Sequence, residues 1–176
     1  YTTYKAMSPG TVMTTAFYKF GTSSLAIGTS GLLLQNIPRP QSAWTIECFC
    51  YPTAVTSYNF LLGGFDGGMT TGLQLSFNGG GQTLLFAVSS YGNTANLVNS
   101  ISSTSLNLNA WNHVAVVFTG TTYYLFINGT ASVTVSNSNN IDYRLWDSMS
   151  IGGLLHGVSS QYNTWPGYID SLRISN

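Results

Sequence analysis

The sequence predicts an all-β protein built as one sandwich, and three observations carry that expectation. Short segments with alternating apolar residues recur along the chain, the period-two signature of strands with one buried face. Clusters of Gly, Asn, Ser and Pro separate them, as tight turns require. No stretch of good helix formers falls at helical spacing. The length of 176 residues suits a single domain with a full core.

The expected strands run in order from Ser24–Ile27 and Gly31–Leu34 to Ala43–Tyr51, which Pro52 stops. Asn59–Gly63, Gly72–Phe77 and Thr83–Ser89 follow. Trp111–Thr119 leads into Thr122–Ile127, and Asn128-Gly129 then marks a two-residue type I′ hairpin turn, with Ala131–Val135 as the return strand. Ser148–Ile151 and Gly167–Ile174 close the chain. Alternation puts Trp44, Ile46, Cys48 and Cys50 on one face, with Thr45, Glu47, Phe49 and Tyr51 on the other. Asn112, Val114, Val116 and Phe118 oppose Trp111, His113, Ala115 and Val117, so both faces of that strand suit a covered, central position. Residues 1–13 read as an extended lead-in and 14–176 as one domain, with no linker or internal repeat.

Composition narrows the function. Hydrophobic residues at 44% argue against disorder. Charged residues at 6% are far below the usual share, so solubility rests on Ser, Thr, Asn, Gln, Gly and Tyr. Such surfaces occur on secreted, adhesive or assembled proteins, and this composition points to a phage-like or bacterial-surface setting. Zero formal net charge gives a free monomer little protection against association. The basic residues Lys5, Lys19, Arg39, Arg144 and Arg173 are scattered, so no stripe exists to neutralise phosphates, and nucleic acid is excluded as a partner. No apolar run is long enough to insert in a membrane as a helix. The chain opens at Tyr1 with no Met and no signal-like segment, as a fragment or processed form would. Cys48 and Cys50 share a strand face, a geometry that does not favour a mutual bridge, and read as small buried hydrophobes.

The order of motifs then becomes informative. Phe20-Gly21-Thr22-Ser23-Ser24-Leu25 is followed by the Trp44–Pro52 strand, then by Leu106-Asn107-Leu108-Asn109-Ala110-Trp111-Asn112-His113 and by Leu125-Phe126-Ile127-Asn128-Gly129. Ile151-Gly152-Gly153 and Gly167–Ile174 end the series. This succession resembles the laminin-G-like group of concanavalin A-like jelly-roll domains over roughly residues 17–175. The resemblance implies a two-sheet antiparallel jelly roll that serves as a carbohydrate-binding, adhesion or assembly module. The fold alone does not fix function, because sugar binders, hydrolases and structural modules share it.

Hydrolysis of glycosides needs two carboxylates flanking the scissile bond. In the catalytic relatives these alternate on one strand, whereas Glu47, the single Glu, has Thr45 and Phe49 as same-face neighbours. The reading is therefore non-catalytic, with Glu47 held by hydrogen bonds or lying on the open sheet face, and His113 a satisfied mid-strand histidine. No cofactor is required. The resemblance admits at most one calcium ion, at Asp66 or Asn163, because Leu154, Leu155 and His156 cannot supply the acid cluster of pentraxin-like members.

Sugar recognition combines aromatic faces with planar polar side chains. Tyr91, Tyr143, Trp146, His156 and Tyr162 fall in expected loops and form the expected ligand set, while Trp44, Trp111 and Trp165 are read as packing. Asp170 and Arg173, three apart on a strand, are expected on opposite faces. Asn128-Gly129-Thr130 has the form of a glycosylation acceptor, but the turn accounts for it. The expected partner is a glycan or surface polysaccharide; the alternative is a structural module contacting neighbouring virion or surface-protein subunits. Both place the domain outside the cell, on its surface or on a virion.

Overall fold

The structure is a computed structural model that describes residues 3–6, 11–29, 31–38, 42–64, 72–90, 96–141, 147–156 and 160–176, with backbone alone at 3–6, 154–156 and 160–162. All regular elements among them are strands: β1 (Thr3–Ala6), β2 (Val12–Thr14), β3 (Ser24–Ile27), β4 (Leu32–Gln35), β5 (Trp44–Pro52), β6 (Phe60–Gly64), β7 (Gly72–Phe77) and β8 (Thr83–Ser89). The second half holds β9 (Val98–Ser105), β10 (Asn112–Phe118), β11 (Thr122–Ile127), β12 (Thr130–Ser136), β13 (Ser148–Ile151), β14 (Leu154–His156), β15 (Ser160–Tyr162) and β16 (Gly167–Ser175). No helix among the described residues is long and apolar enough to cross a membrane.

Two antiparallel sheets form the sandwich. The first has the order β1-β4-β13-β6-β7-β8-β9 and the second β12-β11-β10-β5-β16-β3-β2, while β14 and β15 form a separate hairpin. Strands far apart in sequence lie side by side, as a jelly roll requires. Alternation in β5 is complete: Trp44, Ile46, Cys48 and Cys50 are buried, and Thr45, Glu47, Phe49 and Tyr51 face outward. Val114, Val116, Phe118, Tyr123, Leu125 and Ile127 join the inner face of the second sheet and meet Leu62, Leu75, Phe77, Phe86 and Met149 of the first in one core. Trp165 is fully buried and stacks on Phe77 at 4.7 Å and 10°.

Both cysteines are free and buried, as their shared face implies. Burial pushes the Cys48 thiol up to about 12, with the neighbouring Glu47 charge adding to the effect, and burial raises Cys50 well above its ordinary range.

The hairpin turn also has the expected form, with Asn128 at φ 50° and Gly129 at φ 81°. Asn128 does more than turn the chain. Its Oδ1 accepts the His113 N–H at 2.9 Å, and its Nδ2 donates to Asn112 Oδ1 at 3.1 Å. Asn112, fully buried, also accepts from the Asn107 N–H and donates to the Asn107 and Ala110 carbonyls, so its amide is saturated and locks the 107–110 turn.

The structure departs from the sequence-based expectations in several places. The third expected strand continues through Pro52, and β9 emerges from a Ser-rich segment that carries little apolar alternation because it is a sheet edge. The stretch expected as a loop around His156 and Tyr162 contains the β14–β15 hairpin, in which Leu154 pairs with Tyr162 and His156 with Ser160. Asp170 and Arg173 do not face opposite ways. Asp170 pairs with Phe49 and Arg173 with Glu47, so three steps along β16 match two along β5. The extra residue is a β-bulge, with Ser171 at φ 51°, and it brings both side chains to the outer face.

Candidate functional site on the outer face of the second sheet

Register fixes what this face displays. One row across the strands reads Phe126, Ala115, Glu47, Arg173. The next reads His113, Phe49, Asp170. Residues 15–23, joining β2 to β3, cross over the same face. Phe17 packs among Tyr51, Trp111 and Tyr168, with ring centroids at 4.5, 5.6 and 4.7 Å. Asp170 Oδ2 anchors this crossing by accepting the Lys19 N–H at 2.7 Å and the Phe20 N–H at 3.0 Å, while Ser171 Oγ donates to Asp170 Oδ1 at 3.1 Å. The crossing sets the Phe20 ring, 52% exposed, edge-on to Phe49 at 5.0 Å. Lys19 Nζ lies 5.6 Å from the Phe20 centroid and 5.8 Å from that of Phe49, within cation–π range.

A pocket of about 290 Å3 opens beside these rings, lined by Glu47, Phe49, His113, Ser171 and Arg173. Glu47 is its centre. Its Oε2 meets His113 Nε2 at 3.0 Å, and its Oε1 pairs with Arg173 Nη2. Glu47 is 16% exposed, whereas Arg173 is 71% exposed and His113 30%. Fixed on two sides, the carboxylate has little freedom to move, and the guanidinium keeps donors turned to solvent. His113 is hydrogen-bonded, as a mid-strand histidine should be, yet it reaches the pocket through the Phe49 ring at 4.9 Å.

Chemically, this arrangement offers a clamped acceptor and planar donors in one shallow cavity, with the exposed Phe20 ring beside it. Asp170 now shares a face with Glu47, but its carboxylate is taken up by two backbone N–H groups and a hydroxyl. Both acids thus serve as fixed acceptors here.

The expected ligand residues fare differently. Tyr91, Tyr143, Trp146 and Asp66 lie outside the described residues. His156 stands in β14 and Tyr162 in β15, with side chains likewise outside the description. Asn163 is exposed at φ 57°, and its carbonyl accepts the Phe60 N–H at 2.8 Å. The described residues hold no group of three or more His, Cys, Asp or Glu that could bind a metal. At one end of the first sheet Gly64 pairs with Leu73, Gly72 with Ser89 and Val88 with Val98, while Ser150 pairs with Gly63.

Phe20, Phe49, Glu47 and Arg173 were not legible as a group. Their one sequence signal was the single Glu on the outward face of an otherwise apolar strand.

A two-sheet jelly roll with a polar, aromatic-lined outer face defines a lectin-like β-sandwich. The family description "Concanavalin A-like lectin/glucanases superfamily", Laminin_G_3, matches residues 14–176, and the chain belongs to this family. Solved structures of the same fold include domain 4 of AbnA, an extracellular arabinanase from Geobacillus stearothermophilus, in complex with arabinotriose. It is 16% identical with a TM-score of 0.67, and the match covers 98% of this chain and 81% of that one. The binding domain of botulinum neurotoxin DC in complex with SialylT is 12% identical with a TM-score of 0.66, over 99% of this chain and 42% of that one. A heptameric SAP-like pentraxin from Limulus polyphemus is 16% identical with a TM-score of 0.59, over 83% and 70%. No curated protein matches.

Proposed function

We propose that this domain is a non-catalytic carbohydrate-binding module whose sugar sits in the Glu47–His113–Arg173 pocket against Phe20 and Phe49. The observation that carries this reading is the Glu47 carboxylate held between His113 and Arg173 beside an exposed ring. Sugar hydroxyls need such fixed donors and acceptors, and sugar C–H faces need a ring. The arabinotriose and SialylT complexes of similarly folded domains support the class of ligand. The setting that fits is extracellular, on a cell surface or on a virion, within a larger assembly.

A glycan array with the wild type and Arg173→Ala, run with calcium and then with chelator, tests it. Specific binding lost in the variant supports the pocket, and chelator sensitivity adds a metal at Asp66 or Asn163. A second reading keeps the glycan on Tyr91, Tyr143 and Trp146, aromatics that the sequence sets among polar side chains such as Asn93 and Arg144. Loss of binding in Trp146→Ala but not Arg173→Ala favours that set. Silence of every glycan turns the assignment to an assembly module, for which the exposed Val12 and Met13 on edge strand β2 are the contact to probe.

A further inference from the structure

Register places two more rings beside the pocket. Tyr124 and Phe126 both point outward from β11, partly exposed, and stack at 5.7 Å and 22°. Phe126 stands opposite Ala115, which stands opposite Glu47, and Tyr124 stands opposite Val117, which faces Thr45. Between the ring pair and the Glu47–Arg173 pair lies a single strand, β10, carrying only the short side chains Ala115 and Val117 at these positions. Two strand spacings separate Phe126 from Glu47, roughly 10 Å, more than one sugar ring spans.

We infer that the site extends from the Glu47–Arg173 pocket across Ala115 onto the Tyr124–Phe126 rings, so that its ligand is a linear oligosaccharide lying across the strands rather than a single terminal sugar. This rests on the pocket reading proposed above. Ala115 and Val117 are short, and Ala115, 5% exposed, forms the floor of the path between the two contact points. The polar end fixes one residue by hydrogen bonds, and the aromatic end, which has no charged group in its row on β12 (Ala131, Thr134), offers ring faces to the next. Neither end is built to read charge alone, so neutral chains are the class expected.

The test is calorimetry with two neutral series, arabinose to arabinopentaose and glucose to cellopentaose, against wild type, Arg173→Ala, Phe126→Ala and Phe126→Tyr. The expected result is affinity that rises at least tenfold between monosaccharide and trisaccharide in one series. Phe126→Ala should remove that rise while leaving monosaccharide binding unchanged, and Phe126→Tyr should restore it. Far-ultraviolet dichroism establishes that each variant is folded. Equal affinity for every chain length, lost in Arg173→Ala but not in Phe126→Ala, overturns the extension and leaves the pocket standing. Binding indifferent to both alanine variants overturns both readings, and silence toward both series overturns the extension.

Discussion

Arg173 meets Glu47 because β16 carries one more residue than β5 between the Asp170–Phe49 and Arg173–Glu47 pairs. With the same four residues in regular alternation, Arg173, three steps from Asp170, would turn toward the core. The bulge is thus what converts a plain sheet face into a pocket.

Its extra residue should be dispensable for stability. Deleting Ser171 leaves Arg173 two steps from Asp170, matching Glu47 two steps from Phe49, so the guanidinium stays on the outer face, and the positive φ of Ser171 is lost with the residue. We expect a stability change within about 1 kcal/mol, read as a shift of the urea midpoint. Arg173→Ala should likewise cost less than about 1 kcal/mol, since the guanidinium is 71% exposed. The same substitution should weaken glycan binding at least tenfold, which separates a binding role from a structural one.

Alkaline pH should destabilise the fold. Burial holds the Cys48 thiol up to about 12 against an ordinary 9.0, and it raises Cys50 and the Tyr123 phenol as well. The folded state therefore keeps these groups neutral while the unfolded chain ionises first. Their contribution is fully present below pH 9.0 and is lost as pH rises from there toward the folded values. Urea midpoints should fall steadily above pH 9.0, and Cys48→Ala should flatten that fall. An unchanged midpoint across this range would contradict the burial of the two thiols.

Asn128 and Asn112 form one bonded unit, so their substitutions should not add. Asn128→Ala forfeits two side-chain bonds, including those that let Asn hold a positive φ, for about 2 kcal/mol. Asn112→Ala leaves buried partners unsatisfied, at about 1–3 kcal/mol. A double-mutant cycle in thermal unfolding should give less than the sum of the two. Strict additivity would show that the two amides act independently.

Phe77 and Trp165 carry the joint between the first sheet and the segment entering β16. Phe77→Ala should cost about 3–5 kcal/mol, the usual price of an emptied aromatic site. Trp165→Phe should be milder than its size suggests, because the indole Nε1 has no hydrogen-bond partner among the described residues. Fluorescence-detected unfolding of the two variants checks the order.

These contrasts show where sequence reading reaches and where it stops. The facial alternation of β5 and β10 was legible because burial enforces it, and the Asn128-Gly129 turn because only certain residues tolerate its dihedrals. The polar edge β9 was not, since an edge strand needs no apolar alternation. The Glu47–Arg173 contact was illegible for a different reason. It depends on a bulge at Ser171, whose positive φ sits on a residue type that does not announce one. Phe17, Lys19 and Phe20 join the face through backbone bonds to Asp170, some 150 residues away, which no local pattern encodes.

The most direct test of the carbohydrate-binding assignment is a glycan array comparing wild type with Glu47→Gln and Arg173→Ala, each shown to be folded. The account predicts specific binding by the wild type and at least tenfold weaker binding by both variants. Binding of equal strength in all three proteins would contradict it.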